Sequence, residues 1–271
     1  MSAIDELFQR LRSEGRKAVM PFVTAGDPDL AFTADVIRQI AASGAAICEV
    51  GVPYSDPIAD GPVVQASYTR ALEKGVTVDG VLSTLGPVAA EVPIPLVLML
   101  SYAIVYRRGR HEFAEAARSS GAAGLIVPDL PLDEAGELGD ICRASDLSLV
   151  QLVTPTTPRE RAVRIAEASS GFLYYVSVAG ITGERQTLPP SLAENVAWLR
   201  SKVDLPICVG FGISNADQAK LVASVADGII VGSAIVRRIA EVPARGRDEV
   251  LSDTAQFVAE LIQAVQPAHS A

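Results

Sequence analysis

Glu49 stands in the run Ala45-Ala46-Ile47-Cys48-Glu49-Val50, where every neighbour is apolar. On a strand its side chain shares a face with Ile47 and opposes Cys48. Burial disfavours the charged form of a carboxyl, so this setting raises its pKa and suits a group that gives and takes a proton near neutral pH. The position fits equally well one half of a structural ion pair with a lysine or arginine from a neighbouring strand. Asp56 and Asp60 follow in the stretch Gly51-Val52-Pro53-Tyr54-Ser55-Asp56-Pro57-Ile58-Ala59-Asp60-Gly61-Pro62. Acidic residues in Pro- and Gly-rich loops usually stabilise turns or face solvent. Beside Glu49 they offer a second carboxylate, and two carboxylates in unlike environments can divide acid–base work from cation stabilisation.

Three glycine signals, Gly180-Ile181-Thr182-Gly183, Gly210-Phe211-Gly212-Ile213-Ser214 and Gly232-Ser233-Ala234-Ile235-Val236, point to an anion. Glycine lets backbone N–H groups approach a phosphate closely, and a short helix opened by Gly232 and Ser233 adds its dipole and a hydroxyl. Any one signal alone is a plain turn; three in succession at the same end of consecutive strands favour phosphate binding. Phe22, Leu100, Tyr102, Tyr174 and Phe211 fall at or near strand ends. Together they offer an apolar slot for an aromatic ligand, although each is also ordinary core material. From the residues alone, the chain reads as an enzyme that acts on a phosphorylated, partly apolar small molecule by carboxylate acid–base catalysis, with the substrate left open.

Eight short apolar runs position these groups: 18–24, 46–50, 96–100, 124–127, 149–153, 172–176, 206–209 and 228–231. The stretches between them, such as 31–43 and 217–223, carry apolar residues at helical spacing. Strand and helix in alternation, with no linker or break in composition, predict an α/β fold: a closed parallel (β/α)8 barrel in a single domain over 1–271, preceded by an N-terminal helix. A doubly wound sheet of six or seven strands gives a similar count. The second strand-to-strand interval is nearly twice the usual length, with the excess expected in the loop 51–62, and the sixth carries a similar loop at 179–190. Long loops directly after strands are where a barrel builds its active site, and its phosphate site commonly follows strands seven and eight. Beyond Ile239 the tail with Pro243, Arg245, Gly246 and Arg247 reads as loosely packed before a final helix over 253–265.

Composition narrows the class. Of 271 residues 49% are hydrophobic and only 5% aromatic, a mixture that suits buried parallel strands. A net charge of −9 leaves no basic surplus for nucleic acid. The strongest apolar run, 96–100, is too short to cross a bilayer. Residues 2–8 are charged and helical in pattern, with no signal-peptide core. Cys48, Cys142 and Cys208 lack metal-ligand spacing and read as buried reduced thiols in a cytoplasmic protein. His111 lies beside Arg110 and Glu112 on a helix face and His269 in the terminal tail, so neither is expected to act as acid or base, and no metal site is expected.

Several of these stretches are recognisable. Pro21-Phe22-Val23-Thr24-Ala25-Gly26-Asp27-Pro28 resembles the opening strand and turn of tryptophan synthase α subunits. The run from Glu49 through Asp60 to Gln65 resembles that family's most specific signature. Val127-Pro128-Asp129-Leu130-Pro131 and the three glycine motifs match in order and spacing, so the resemblance spans about 8–239.

It implies a lyase that cleaves indole-3-glycerol phosphate to indole and glyceraldehyde 3-phosphate in tryptophan biosynthesis. In that reading Glu49 is the proton shuttle and Asp60 hydrogen-bonds the indole N–H. Gly183, Gly212, Gly232 and Ser233 hold the phosphate, and Thr182 touches Asp60 as the loops close. The resemblance further implies an α2β2 complex with a β subunit, near which Pro53, Asp56 and Asp129 fall. Pyridoxal phosphate is expected only in that partner, and no cofactor in this chain. The chain departs from the family at Ala103-Ile104-Val105 and at Val178-Ala179-Gly180, which bears on loop contacts and coupling. A free-standing lyase that releases indole, an isomerase of a phosphorylated sugar and a non-catalytic ligand-binding barrel are the rival expectations.

Overall fold

Apolar runs with β-branched residues become strands once both of their faces can be covered, and the interior of this chain is built of them. In the computed structural model, which describes residues 2–57, 60–177, 190–210 and 212–266, the strands are β1 (Ala18–Thr24), β2 (Cys48–Gly51), β3 (Leu96–Met99), β4 (Ala122–Ile126), β5 (Ser148–Val150), β6 (Leu152–Val153), β7 (Leu173–Val176), β8 (Ile207–Gly210) and β9 (Gly228–Val231). All pair in parallel, in the order β5-β4-β3-β2-β1-β9-β8-β7-β6. Only Gln151 separates β5 from β6, and its carbonyl still accepts from the Tyr174 N–H at 3.0 Å. The two are halves of one stave, so the ring closes with eight. The expected run 149–153 is that interrupted stave, and the barrel is the architecture that alternation of strand and helix predicts.

Helix α1 (Ala3–Ser13) precedes β1 and α2 (Leu30–Ala42) follows it. Helices α3 (Pro62–Glu73) and α4 (Val78–Glu91) lie between β2 and β3, α5 (Tyr102–Arg108) and α6 (Arg110–Ser119) between β3 and β4, and α7 (Leu132–Ala144) between β4 and β5. Helix α8 (Arg159–Glu167) joins β6 to β7, α9 (Pro190–Arg200) joins β7 to β8, and α10 (Ala216–Ala223) joins β8 to β9. The chain ends with α11 (Ser233–Ile239), α12 (Val242–Arg245) and α13 (Arg247–Val265).

Alternation along the strands sorts the core into two layers. Ala18, Met20, Phe22, Ile47, Val97, Met99, Ile126, Val150, Cys208 and Ile230 form an inner cluster. Val19, Val23, Cys48, Val50, Leu96, Leu98, Leu125 and Leu149 pack outward against the helices. Ile4, Leu7, Phe8 and Leu11 of α1 belong to the inner cluster, so this helix plugs the N-terminal end of the barrel. Its start is set by a capping box: Asp5 N–H donates to the Ser2 hydroxyl at 3.2 Å and Ser2 N–H to the Asp5 carboxylate at 2.9 Å.

Two expectations change. The excess length after β2 is not loop alone, because the connection ends at Gly61 and the 12-residue α3 fills the remainder. Pro62 opens that helix where its missing N–H is harmless. The tail after Ile239 is ordered: α12 forms, Gly246 turns the chain at φ 84°, and α13 begins at Arg247. Arg245 fastens this corner, bridging Glu241 at 2.5 Å, Glu249 at 2.8 Å and Asp253 at 3.4 Å. The three cysteines are free and buried. Among the described residues no helix is long and apolar enough to cross a membrane, and no group of His, Cys, Asp and Glu could hold a metal ion. The loop 178–189 and His269 lie outside the described residues.

Candidate active site

β2 carries Glu49 and Gly51 on its inward face, in line with Ile47 just before it. Glu49 registers with Phe22 on β1 and with Val97 on β3, so apolar inner-cluster side chains flank it on both sides. It is 2% exposed, and its Oε1 has no hydrogen-bond partner. No ion pair among the described residues reaches it, so the structural ion pair left open by the sequence is not formed there. Burial, and after it the charge of Asp60, pushes the Glu49 carboxyl up to about 8.

The connection after β2 rises from the rim and brings Asp60 back over the barrel. Tyr54 donates to Asp60 Oδ2 at 3.3 Å, while the Gln65 side-chain amide donates to the carbonyls of Asp60 at 2.8 Å and Pro57 at 3.1 Å. Half-buried, Asp60 is raised to about 6 by desolvation, against which the Tyr54 hydrogen bond acts. Asp60 therefore ionises before Glu49. Its charge bears on Glu49, whereas Glu49 is still neutral when Asp60 titrates. Asp56 is exposed and accepts from the Ser55 hydroxyl at 2.9 Å, and Pro53 is buried at the base of the loop.

Helix α3 then folds onto the inner core, to which Val64 and Tyr68 contribute at i, i+4 spacing. The Ser67 and Thr24 hydroxyls meet at 2.6 Å in the interior. Arg70 grips the 3%-exposed Asp27 with two hydrogen bonds, at 3.0 and 2.5 Å.

Glycines make room for aromatic rings at the rim. A Cβ on Gly51 would stand 2.5 Å from the Phe22 ring and 2.7 Å from the Tyr68 hydroxyl; one on Gly210 would stand 2.7 Å from the Tyr174 ring. Gly232 backs directly onto Phe22, with a Cβ there 3.6 Å from it. β2, β1, β9, β8 and β7 are successive staves, so Glu49, Phe22, Gly232, Gly212 and Tyr174 follow one another round the same end. Gly212 has φ 61°, a conformation that favours glycine. Gly232 precedes Ser233, the first residue of α11, where the leading N–H groups have no acceptor within the helix. Burial and the nearby Glu49 and Asp60 hold the Tyr174 phenol far above its ordinary pKa, so it is neutral.

The structure does not bring every aromatic and apolar candidate to that arc. Leu100 packs in the outer layer with Leu96 and Leu98, and Met99 is the inward residue there. Tyr102 starts α5; its hydroxyl donates to Glu134 at 3.0 Å and its ring lies tilted against that of Tyr106. Asp129 caps the same helix, accepting from the Ser101 hydroxyl at 2.6 Å and the Tyr102 N–H at 2.7 Å. Thr182, Gly183 and Phe211 lie outside the described residues. Tyr54, Gln65, Tyr68 and the Asp27–Arg70 pair were not singled out as site residues in the sequence. Tyr54 and Gln65 lie in or beside the long loop, and the helical spacing of Val64 and Tyr68 was the signal for an inward face. A separate cavity of about 500 Å³, lined by Phe8, Arg12, Lys202 and Pro206, lies at the opposite end of the barrel and contains none of these groups.

A parallel barrel with a buried carboxyl, a second carboxyl beside it and glycine turns along the rim is the framework of a (β/α)8 enzyme. Residues 8–266 match the family described as tryptophan synthase alpha chain. The tryptophan synthase alpha chain of Rhodopirellula baltica is 55% identical over 245 residues, covering 89% of this chain and 88% of that one. Among solved structures, tryptophan synthase subunit alpha from Legionella pneumophila superposes with a TM-score of 0.90 at 33% identity, covering 98% of each chain. A chain of the tryptophan synthase complex from Pyrococcus furiosus superposes with a TM-score of 0.82 at 32% identity, covering 92% of this chain and 99% of its own. The chain belongs to the tryptophan synthase alpha chain family.

Proposed function

We propose that this chain, acting as one barrel domain, performs the α reaction of tryptophan synthase: cleavage of indole-3-glycerol phosphate to indole and glyceraldehyde 3-phosphate, late in tryptophan biosynthesis. The observation that carries this reading is Glu49, buried on the inward face with its carboxyl held near 8 and Asp60 across the mouth. Protonated at neutral pH, Glu49 delivers its proton to C3 of the indole ring. The resulting carboxylate takes the proton of the side-chain hydroxyl. The carbon–carbon bond then breaks, its electron pair returning to the protonated ring as indole while the hydroxyl carbon becomes the aldehyde. Ionised above about 6, Asp60 accepts the indole N–H and offsets the positive charge that develops on the ring. Phe22 and Tyr174 form the apolar slot, with Phe211 completing it. Gly183, Gly212, Gly232 and Ser233 hold the phosphate through backbone N–H groups and a hydroxyl. Thr182 closes on Asp60, which excludes water from the reacting atoms.

The chain works with a tryptophan synthase β subunit, the partner that carries pyridoxal phosphate; the α reaction itself needs no cofactor. Pro53, Asp56 and Asp129 belong to the contact, and the assembly is an α2β2 complex in the cytoplasm. Indole release from indole-3-glycerol phosphate, measured with and without the β subunit, tests the reading. A slow rate that rises sharply with β is the expected result. A fast rate without β assigns a free-standing lyase, and no indole in either condition overturns the assignment.

A further inference from the structure

Two buried polar atoms in the wall of this site lack a hydrogen-bond partner: Glu49 Oε1 and the Tyr68 hydroxyl. Tyr68 is fully buried and shares the inner cluster with Phe22. An unpartnered hydroxyl in an apolar interior lowers stability, and phenylalanine fills the same space without that loss. Its retention calls for an acceptor that is present in another state of the enzyme.

The geometry supplies one. Glu49 and Gly51 are two residues apart on the same inward face, ~6.6 Å along the strand. The Tyr68 hydroxyl occupies the space that Gly51 leaves open, 2.7 Å from where a Cβ would stand, with the ring of Phe22, the register partner of Glu49, beside it. Rotation about the side-chain bonds of Glu49 carries its carboxyl up the strand towards that hydroxyl, and glycine puts nothing in the way. The phenol itself is fixed. Helix α3 is tied to the loop by Gln65, to β1 by Ser67 and to Asp27 by Arg70. Asp60 already has a donor in Tyr54. We propose that Tyr68 is a positioning residue whose hydroxyl donates to the ionised Glu49 carboxylate once that group has given up its proton. The neutral carboxyl is the weaker acceptor of the two forms, so the bond gains most of its strength when the proton leaves. This assignment rests on Glu49 being the proton shuttle.

The test compares wild type with Tyr68→Phe by following the Glu49 carboxyl in a ¹³C NMR titration of the substrate-free chain. The groups that face Tyr68 are Asp60 and Tyr54 from the loop, Glu49 from β2 and Tyr174 from β7. None of them is altered by the substitution. Without its donor the carboxylate is harder to form, so the Glu49 midpoint rises by about one pH unit, kcat for indole release falls roughly tenfold with KM little changed, and the urea midpoint does not fall. An unmoved Glu49 midpoint overturns the proposal, whatever happens to kcat. Should Tyr68→Phe fail to fold, the wild type decides: the Tyr68 ring Cζ resonance must shift with the Glu49 titration and stay flat in Glu49→Gln, and a flat trace in both overturns it. A shifted midpoint with no indole formed by wild type in any condition keeps the hydrogen bond and removes the α reaction instead.

Discussion

Glu49→Gln replaces a titrating carboxyl by a neutral amide of nearly the same shape, so its effect on stability isolates what burying this charge costs. In the unfolded chain the carboxyl ionises near its ordinary value of 4.5; in the folded barrel burial holds it at about 8. Between those values the folded protein keeps a proton that the unfolded chain has released, so rising pH draws the equilibrium towards the unfolded state by ~1.4 kcal/mol per pH unit. The stability linked to the neutral group is therefore fully present below 4.5 and is lost as pH rises to about 8. The total is on the order of 5 kcal/mol, a large share of a domain's usual 5–15. Glutamine does not titrate. The variant should match wild type to within about 1 kcal/mol near pH 5 and exceed it by several kcal/mol near pH 9, as read from urea unfolding followed by circular dichroism with unchanged m-values. The same variant should release almost no indole, because its shape survives while its proton does not. A stability difference that stays constant with pH would refute the reasoning, since Glu49 would then ionise inside the fold as easily as outside it.

The remaining expectations concern the rest of the site. The kcat/KM profile for indole release should be bell-shaped, with limbs near 6, where Asp60 must be ionised, and near 8, where Glu49 must keep its proton; a profile flat through pH 9 removes Glu49 as the acid. Asp60→Asn should lower kcat ~100-fold and move the alkaline limb downward, since the charge that helps raise Glu49 is gone; full activity leaves Asp60 as a loop-folding residue. Arg70→Ala strands the 3%-exposed carboxylate of Asp27 and should cost about 2–3 kcal/mol in urea unfolding, less than a fully buried pair because the arginine side chain is 37% exposed. A midpoint equal to wild type means the pair does not anchor α3. Gly51→Ala pushes a methyl into the Phe22 ring and the Tyr68 hydroxyl and should destabilise by ~1–3 kcal/mol while lowering turnover; an unaltered thermal midpoint and rate contradict the packing described.

The local parts of this architecture were legible in the sequence. Alternation placed Glu49 on one face with Ile47 and opposite Cys48, and those neighbours do fall into the inner and outer clusters respectively. The run 228–231 is a strand with the same limits, and the apolar periodicity of 31–43 and 217–223 marks helices that begin and end within a residue of those bounds. Each of these depends on side-chain period and turn chemistry, which act over a few neighbouring residues. A raised carboxyl pKa also followed from the sequence, since apolar neighbours on a strand already imply desolvation.

What needed the tertiary structure was every relation between distant segments. Leu100 and Met99 are both apolar at a strand end, and only the strand's orientation in the ring turns Met99 inward and Leu100 out. The excess length after β2 was expected in the loop 51–62 alone, yet α3 takes up the rest of it and lays Val64 and Tyr68 on the inner core, because α3 is amphipathic towards a surface that exists only when the barrel has closed. The tail around Gly246 read as loose for want of any apolar period, and it is Arg245 with three carboxylates that holds it. Glu49 and Asp60 are joined in one site by a loop whose course is set by Tyr54 and Gln65. Composition and period determine which residues are buried and which face they share. The identity of the atoms that meet across the mouth depends on ring closure, whose energy is spread over the whole chain and written in no single stretch of it.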